Sequence, residues 1–323
     1  FTIRAKLTLN AAGPWADILM SDLSDGKRPR QLIRSMGIHL LTRPLSRSHG
    51  ITVPLEHSHF FILPWRGHSL LGTTDTLYEG DPDDVHVSEK DIADFLAVVN
   101  EYYPAANLRR GDVLHFYAGL RPLVGVPGGD TARVSREHTI HRERSGLVRV
   151  SGGKYTTYRL MARDAVDYVL EGDDPMPPSR TAQMPLLGAA PREQLDRLAS
   201  KLAAESGLDA TRAQALVDRH GARAREVVTL GQASDLLRPL ADDRTELEAE
   251  VAWAVEREHA LSLDDILSRR MRLSMSRRDR GESLAARVAE IAGARLGWDA
   301  QRQATEVEQY LDSARREYDV PGA

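Results

Sequence analysis

Cysteine is absent from the 323 residues. That excludes disulfides, thiolate metal sites and a cysteine nucleophile, and it fits a reducing compartment. No apolar run approaches the roughly 18 residues that a spanning helix needs, and no charged-then-apolar leader opens the chain, so no segment is expected to cross a bilayer and cytoplasm is the expected compartment. An excess of one charge is lacking too: 43 Lys and Arg against 47 Asp and Glu leave a net charge of −4, so no global positive field recommends nucleic acid as a partner. Any anion site must be local. What is present is an ordinary globular mixture, 41% hydrophobic and 28% charged, enough for one large or two ordinary folded domains. The chain opens at Phe1 without an initiator methionine and runs straight into the alternating Phe1–Leu9, which reads as a half-buried strand. It is therefore expected to be cut from a larger protein.

Two regions are expected, residues 1–178 and 179–323, divided at the Pro-rich Asp173-Asp174-Pro175-Met176-Pro177-Pro178-Ser179. In the first, the segments 38–41, 60–65, 69–72 and 147–150 are short apolar runs broken by Gly, Pro or Ser, and they predict an antiparallel sheet. Ser88 followed by Asp91 predicts a capped helix whose buried stripe is Ile92, Phe95, Leu96 and Val99, ending before Pro104. The second region repeats the helical period, for example at Leu195, Leu198, Ala199 and Leu202 and again at Leu284, Val288, Ile291 and Ala292. Asp209, Ser262 and Asp299 precede helical stretches as caps.

Three segments carry residues suited to chemistry. Ser151-Gly152-Gly153-Lys154-Tyr155-Thr156-Thr157 lies between a strand and a helix, where bare amide donors and the positive end of a helix dipole receive an electron-rich ligand. It is not a nucleotide-hydrolase phosphate loop, since Tyr155 follows the lysine and Val148 stands where the first glycine belongs. An ordinary Gly-rich turn remains the rival reading. Asn10-Ala11-Ala12-Gly13-Pro14-Trp15-Ala16-Asp17 is a small-residue turn that either admits a flat ligand or simply closes a strand. In Tyr117-Ala118-Gly119-Leu120-Arg121-Pro122-Leu123 the guanidinium sits in an apolar setting and needs an anionic partner, whether a ligand or an internal carboxylate. With Lys154 and Arg136 it would give three positive groups to one pocket, enough to hold a small phosphate ester. The pairs His57/His59 and His138/His141 have metal-like spacing but no acidic residue at motif distance, so no metal site is expected. Glu256, Glu258, His259 and the arginines at 269, 270, 272, 277 and 278 read as helix-surface charges and salt bridges.

Taken in order, these segments, with Arg34-Ser-Met-Gly-Ile-His39, Ile62-Leu-Pro-Trp65, Gly72-Thr-Thr-Asp75, Ser135-Arg-Glu-His138 and Asp264-Asp-Ile-Leu-Ser-Arg-Arg-Met-Arg-Leu273, resemble the C-terminal two-thirds of FAD-dependent glycerol-3-phosphate dehydrogenase. The resemblance implies an α/β plus α chain: a partial FAD-binding, glycine-oxidase-like domain with an antiparallel substrate-cap sheet, then an all-helical domain. It implies oxidation of sn-glycerol 3-phosphate to dihydroxyacetone phosphate, with FAD as cofactor and electrons passed on to membrane quinone. Ala12, Gly13 and Trp15 would line the FAD path, and Gly152, Gly153, Lys154, Tyr155, Thr156 and Thr157 would lie at the flavin's pyrimidine edge. Arg121 and Lys154 would act on the substrate, together with Arg136 and with Thr74 as a hydrogen-bond partner. A homodimer and a peripheral contact with the inner face of the membrane are further implications, and a related amine or amino-acid oxidase, or a non-catalytic assembly module, are the alternatives. Two departures stand out. Met36 replaces the basic residue usual before the glycine at 37, and no G-x-G-x-x-G occurs from 1 to 323, so this chain alone is expected to hold FAD poorly.

Overall fold

The computed structural model describes residues 2–23, 32–56, 58–124, 137–170 and 177–319. It separates into two compact units that divide between Met184 and Pro185.

The elements of the first unit, in chain order, are β1 (Leu9–Asn10), α1 (Ala16–Asp22), β2 (Leu32–Thr42), β3 (Ile51–Pro54), β4 (His59–Trp65), β5 (His68–Gly72), β6 (Thr76–Tyr78), α2 (Glu89–Tyr102), β7 (Val113–Val124), β8 (His138–Arg142), β9 (Val148–Gly152) and α3 (Tyr158–Val169). They build two sheets. One runs β1-β9-β8, with β1 parallel and β8 antiparallel to β9. The other is antiparallel, in the order β3-β4-β5-β2-β6, with β7 along the far edge of β2.

The long strand β2 organises the second sheet. Its pairing with β7 runs from Leu32↔Val124 to Thr42↔Val113, while its other edge is shared by β5 at residues 39–42 and β6 at residues 34–36. Side chains alternate between faces, so the even positions Met36, Ile38 and Leu40 meet Leu71, Phe60, Ile62 and Phe116 in one apolar layer. The predicted stripe of α2 (Ile92, Phe95, Leu96, Val99) closes that layer. Its start is fixed as the spacing predicts, by a reciprocal capping box between Ser88 and Asp91. Met36 belongs to this core, which explains an apolar residue there.

The predicted strand Phe1–Leu9 is corrected to the two residues of β1. Thr2–Thr8 is exposed throughout, and the ladder to β9 engages only Leu9 and Asn10. An alternating sequence makes a strand only where a partner covers one of its faces.

The second unit is helical: α4 (Arg192–Ser206), α5 (Ala210–His220), α6 (Ala224–Ser234), α7 (Glu248–Glu258), a π-helix at Asp265–Arg270, α8 (Leu273–Ser276), α9 (Glu282–Leu296) and α10 (Ala300–Tyr318). Their apolar stripes share one core around Leu216, Val227, Trp253, Leu267, Val288 and Tyr310. Asp209 and Asp299 cap α5 and α10 through the amides of Arg212 and Arg302, and Ser262 receives the Asp265 amide at 3.1 Å. The charges in and around α7 and the π-helix are paired: Arg269 with Asp264 at 2.7 Å, Arg277 with Asp279 at 2.8 Å and Arg295 with Glu256 at 3.1 Å. Deeper in, Glu250 is buried and takes both arms of Arg219 at 2.7 and 2.8 Å, His220 at 2.9 Å and the Leu247 amide at 2.8 Å. Among the described residues no helix is long and apolar enough to cross a membrane.

Candidate active site

Alternation on β2 and β7 decides which residues share the face opposite α2. On β2 these are Ser35, Gly37 and His39, and directly across on β7 they are Arg121, Gly119 and Tyr117. β5 adds Gly72, paired with His39. The glycines shape this face. A Cβ on Gly37 would stand 2.4 Å from Arg121 Nη2 and 2.4 Å from Thr73 Oγ1, so the guanidinium lies across the bare backbone there. A Cβ on Gly72 would stand 2.1 Å from His39 Cδ2, so the imidazole occupies the corresponding space one step along. At Gly119 an added Cβ meets nothing within 4 Å among the described residues, leaving a gap flanked on β7 by Arg121 and Tyr117.

Arg121 donates from Nη1 to Ser35 Oγ at 3.1 Å and from Nη2 to Thr73 Oγ1 at 2.9 Å and to the Thr74 carbonyl at 3.1 Å. Ser35 in turn donates to Asp75 Oδ1 at 2.5 Å. The acceptors at 73–75 come from the loop between β5 and β6, where β2 briefly lacks a strand beside it. Thr74 Oγ1 fills that break by accepting the Ile38 amide at 3.0 Å, so its hydroxyl is engaged with the backbone. His39 stacks on Tyr117 with ring centroids 4.9 Å apart. Burial, reinforced by the field of Arg121, pushes its imidazole down to about 4, so it is neutral near pH 7.

The two turns singled out in the sequence meet the end of β7. Val124 Cγ2 lies 3.3 Å from the Cβ position of Gly152, and both glycines of that turn have left-handed backbones, φ +76° and +94°. A side chain at Gly152 would come within 2.7 Å of the Glu137 carbonyl, so the pair is required by the turn itself. Lys154, Tyr155, Thr156 and Thr157 follow on the exposed side; the Thr157 amide donates to the Lys154 carbonyl at 3.0 Å, and among the described residues neither the 3₁₀ turn at Tyr155–Thr157 nor α3 carries a side-chain cap. The other turn is knitted by Asn10, which donates to the Ala16 carbonyl at 3.0 Å and accepts the Ala12 amide at 3.1 Å. Gly13 has φ +55° and, among the described residues, open space where a Cβ would be, whereas the Trp15 indole donates to Asp83 at 2.9 Å. The whole turn is fastened to β2 by Arg34, 7% exposed, which donates to the Pro14 carbonyl at 2.6 Å and pairs with Asp17 at 2.5 Å. Arg136 lies outside the described residues, as does His57.

Sequence reasoning assigned no part to Ser35, Gly37, His39, Gly119 or the Arg34–Asp17 pair. The usable signal was positional: three odd-numbered residues of one strand that are small or polar while their even neighbours are apolar.

Comparison with known proteins agrees with this architecture. Residues 1–167 match the model of the FAD dependent oxidoreductase family, and residues 179–303 match that of the C-terminal domain of alpha-glycerophosphate oxidase. Glycerol-3-phosphate dehydrogenase 2 of Mycobacterium bovis is 37% identical over 98% of this chain and 54% of its own length. The mitochondrial glycerol-3-phosphate dehydrogenase of Bos taurus is 33% identical over 98% of this chain and 44% of its own. The chain thus spans about half the length of the curated relatives it matches. Among solved structures, the glycerol-3-phosphate dehydrogenase from Bacillus halodurans complexed with FAD superposes with a TM-score of 0.81 at 25% identity, over all of this chain and 64% of that one. With the first of the two family models spanning its entire sheet-bearing unit up to α3, the chain belongs to the FAD dependent oxidoreductase family.

Proposed function

We propose that the protein carrying this chain oxidises the secondary hydroxyl of glycerol 3-phosphate to the ketone of dihydroxyacetone phosphate, with FAD as the oxidant. The observation that carries the reading is Arg121: a half-buried guanidinium stretched over a glycine and anchored to Ser35 and Thr73, on the face of the sheet away from the apolar core. A cation so placed is pre-ordered for an anionic group. The names of the relatives and the FAD bound to the Bacillus halodurans chain support the choice of substrate and cofactor.

The residues present fit one edge of a flavin. Open space at Gly13 among the described residues and the uncapped start of α3 supply a flat approach. On this reading Ala12, Gly13 and Trp15 border the cofactor, Gly152–Thr157 face its polar edge, and Lys154 reaches from that turn toward the substrate. FAD, when bound, supplies the two-electron acceptor for the hydride leaving the carbinol carbon. Arg121 holds the anionic end of the ester, and the bare face at Gly119 admits its carbon chain. The seat of the FAD pyrophosphate is not in this sequence, which has no G-x-G-x-x-G. Transfer of electrons to membrane quinone, a homodimer, a cytoplasmic location with contact at the membrane's inner face, and roles for Arg136 and Thr74 rest on the family resemblance.

The test is steady-state turnover of the FAD-loaded protein on glycerol 3-phosphate, sarcosine and glycine. Turnover confined to glycerol 3-phosphate, with Arg121→Met lowering kcat/KM by about 10- to 100-fold, is expected from loss of a charge-assisted contact. Preference for sarcosine or glycine overturns the assignment.

A further inference from the structure

Ser35 is the most enclosed of the groups that anchor Arg121. It is 0% exposed, stands directly across from Arg121 in the β2–β7 register, and lies between two charged side chains. Arg121 Nη1 reaches its Oγ at 3.1 Å, and the same oxygen is 2.5 Å from Asp75 Oδ1. A guanidinium only donates and a carboxylate only accepts, so the single hydroxyl proton has one place to go. It points at Asp75, and the oxygen lone pairs are left facing Arg121.

Backbone register explains how the carboxylate comes to stand there. β6 pairs with β2 through Arg34↔Tyr78, Ser35↔Leu77 and Met36↔Thr76. One further step of that register sets Asp75 opposite Gly37, on the face that carries Ser35 and Arg121. Gly37 brings no side chain to stand between them, so Asp75 reaches diagonally to Ser35, as same-face diagonal neighbours in a sheet can. Asp75 is exposed whereas Ser35 is sealed. The carboxylate thus keeps its hydration, and the sheet receives a hydroxyl of fixed direction.

We propose that Asp75 is a positioning residue for Arg121, acting through the hydroxyl of Ser35: it turns that oxygen toward Nη1 and so holds the guanidinium in place across Gly37. The inference rests on the functional reading above, in which Arg121 takes the anionic end of the ester, and it carries a sign. A carboxylate that acted on an anion site through its charge alone would repel the ligand, and removing it would strengthen binding. A carboxylate that acts through Ser35 strengthens binding, because an amide in its place donates to Ser35 and turns the hydroxyl proton toward Arg121.

Calorimetric titration of the FAD-loaded protein with inorganic phosphate and with glycerol 3-phosphate tests this in Asp75→Asn, Ser35→Ala and the double variant. Each single variant should weaken both ligands by about 3- to 10-fold, since one anchor of Arg121 is lost while those at Thr73 Oγ1 and the Thr74 carbonyl remain. In the Ser35→Ala background, adding Asp75→Asn should bring no further loss, which is the mark of one residue working through the other. Asp75→Glu should recover part of the parental affinity, and in turnover by Asp75→Asn the KM for glycerol 3-phosphate should rise by a larger factor than kcat falls. An Asp75→Asn protein that binds phosphate at least as tightly as the parent overturns the proposal, and so does a loss of equal size with and without Ser35. Both results leave the substrate assignment standing, whereas a parent that binds neither phosphate nor glycerol 3-phosphate overturns the two together.

Discussion

Substituting Gly37 by alanine tests whether the guanidinium of Arg121 depends on a missing side chain. The new methyl would stand 2.4 Å from both Arg121 Nη2 and Thr73 Oγ1, far inside contact distance. These atoms end or branch from movable side chains, so the strand can persist while the guanidinium lifts away from Thr73 and the Thr74 carbonyl, its partners at 2.9 and 3.1 Å. Hydrogen bonds from a charged donor are worth about 1.5–3 kcal/mol each. Losing the pre-ordering that they provide should therefore weaken binding of glycerol 3-phosphate and of inorganic phosphate by roughly 10- to 100-fold. Gly119→Ala is the paired control: its methyl meets nothing within 4 Å among the described residues. It should leave phosphate binding intact and weaken only the ester, whose carbon chain needs that space. Calorimetric titration together with thermal melting separates the outcomes. A Gly37→Ala protein that folds normally and binds phosphate with parental affinity would refute the reasoning.

Two further outcomes concern the framework. Burial alone would raise the Glu250 carboxyl, but Arg219 and His220 outweigh it and hold the group down to about 2, against an ordinary 4.5. Such a depression contributes roughly 3 kcal/mol at neutral pH, fully present above the unfolded value and lost as pH falls from 4.5 toward 2. Urea melts followed by tryptophan fluorescence should thus show Glu250→Gln destabilised by about 3 kcal/mol at pH 7, with a gap that narrows below pH 4.5. In the first unit, Asp17→Asn leaves Arg34 buried without its counter-ion, and a loss of about 3–5 kcal/mol is expected in the same assay.

Much of this architecture was legible because local rules and tertiary needs coincide. Ser88 and Asp91 announce α2, and the stripe they introduce is the one the sheet buries. β7 was harder to read, since Gly119 and Pro122 interrupt any strand pattern. Among the described residues β7 pairs only with β2, and a proline is tolerated on an edge strand where no second neighbour asks for its amide. The π-helix at Asp265–Arg270 is likewise invisible to a 3.6-residue period. The site was half legible. Arg121 stands out in its own heptapeptide, whereas His39 acquires meaning only through Tyr117 and Gly72, which sequence separates and pairing unites.

The neighbours Arg34 and Ser35 point to opposite sides of one strand. The arginine grips the turn that bears Gly13, and the serine accepts a hydrogen bond from Arg121. A single peptide unit therefore couples the Gly13 turn to the guanidinium of Arg121. Strain introduced at either one reaches the other without crossing a flexible joint, since both are gripped from one stiff β-ribbon.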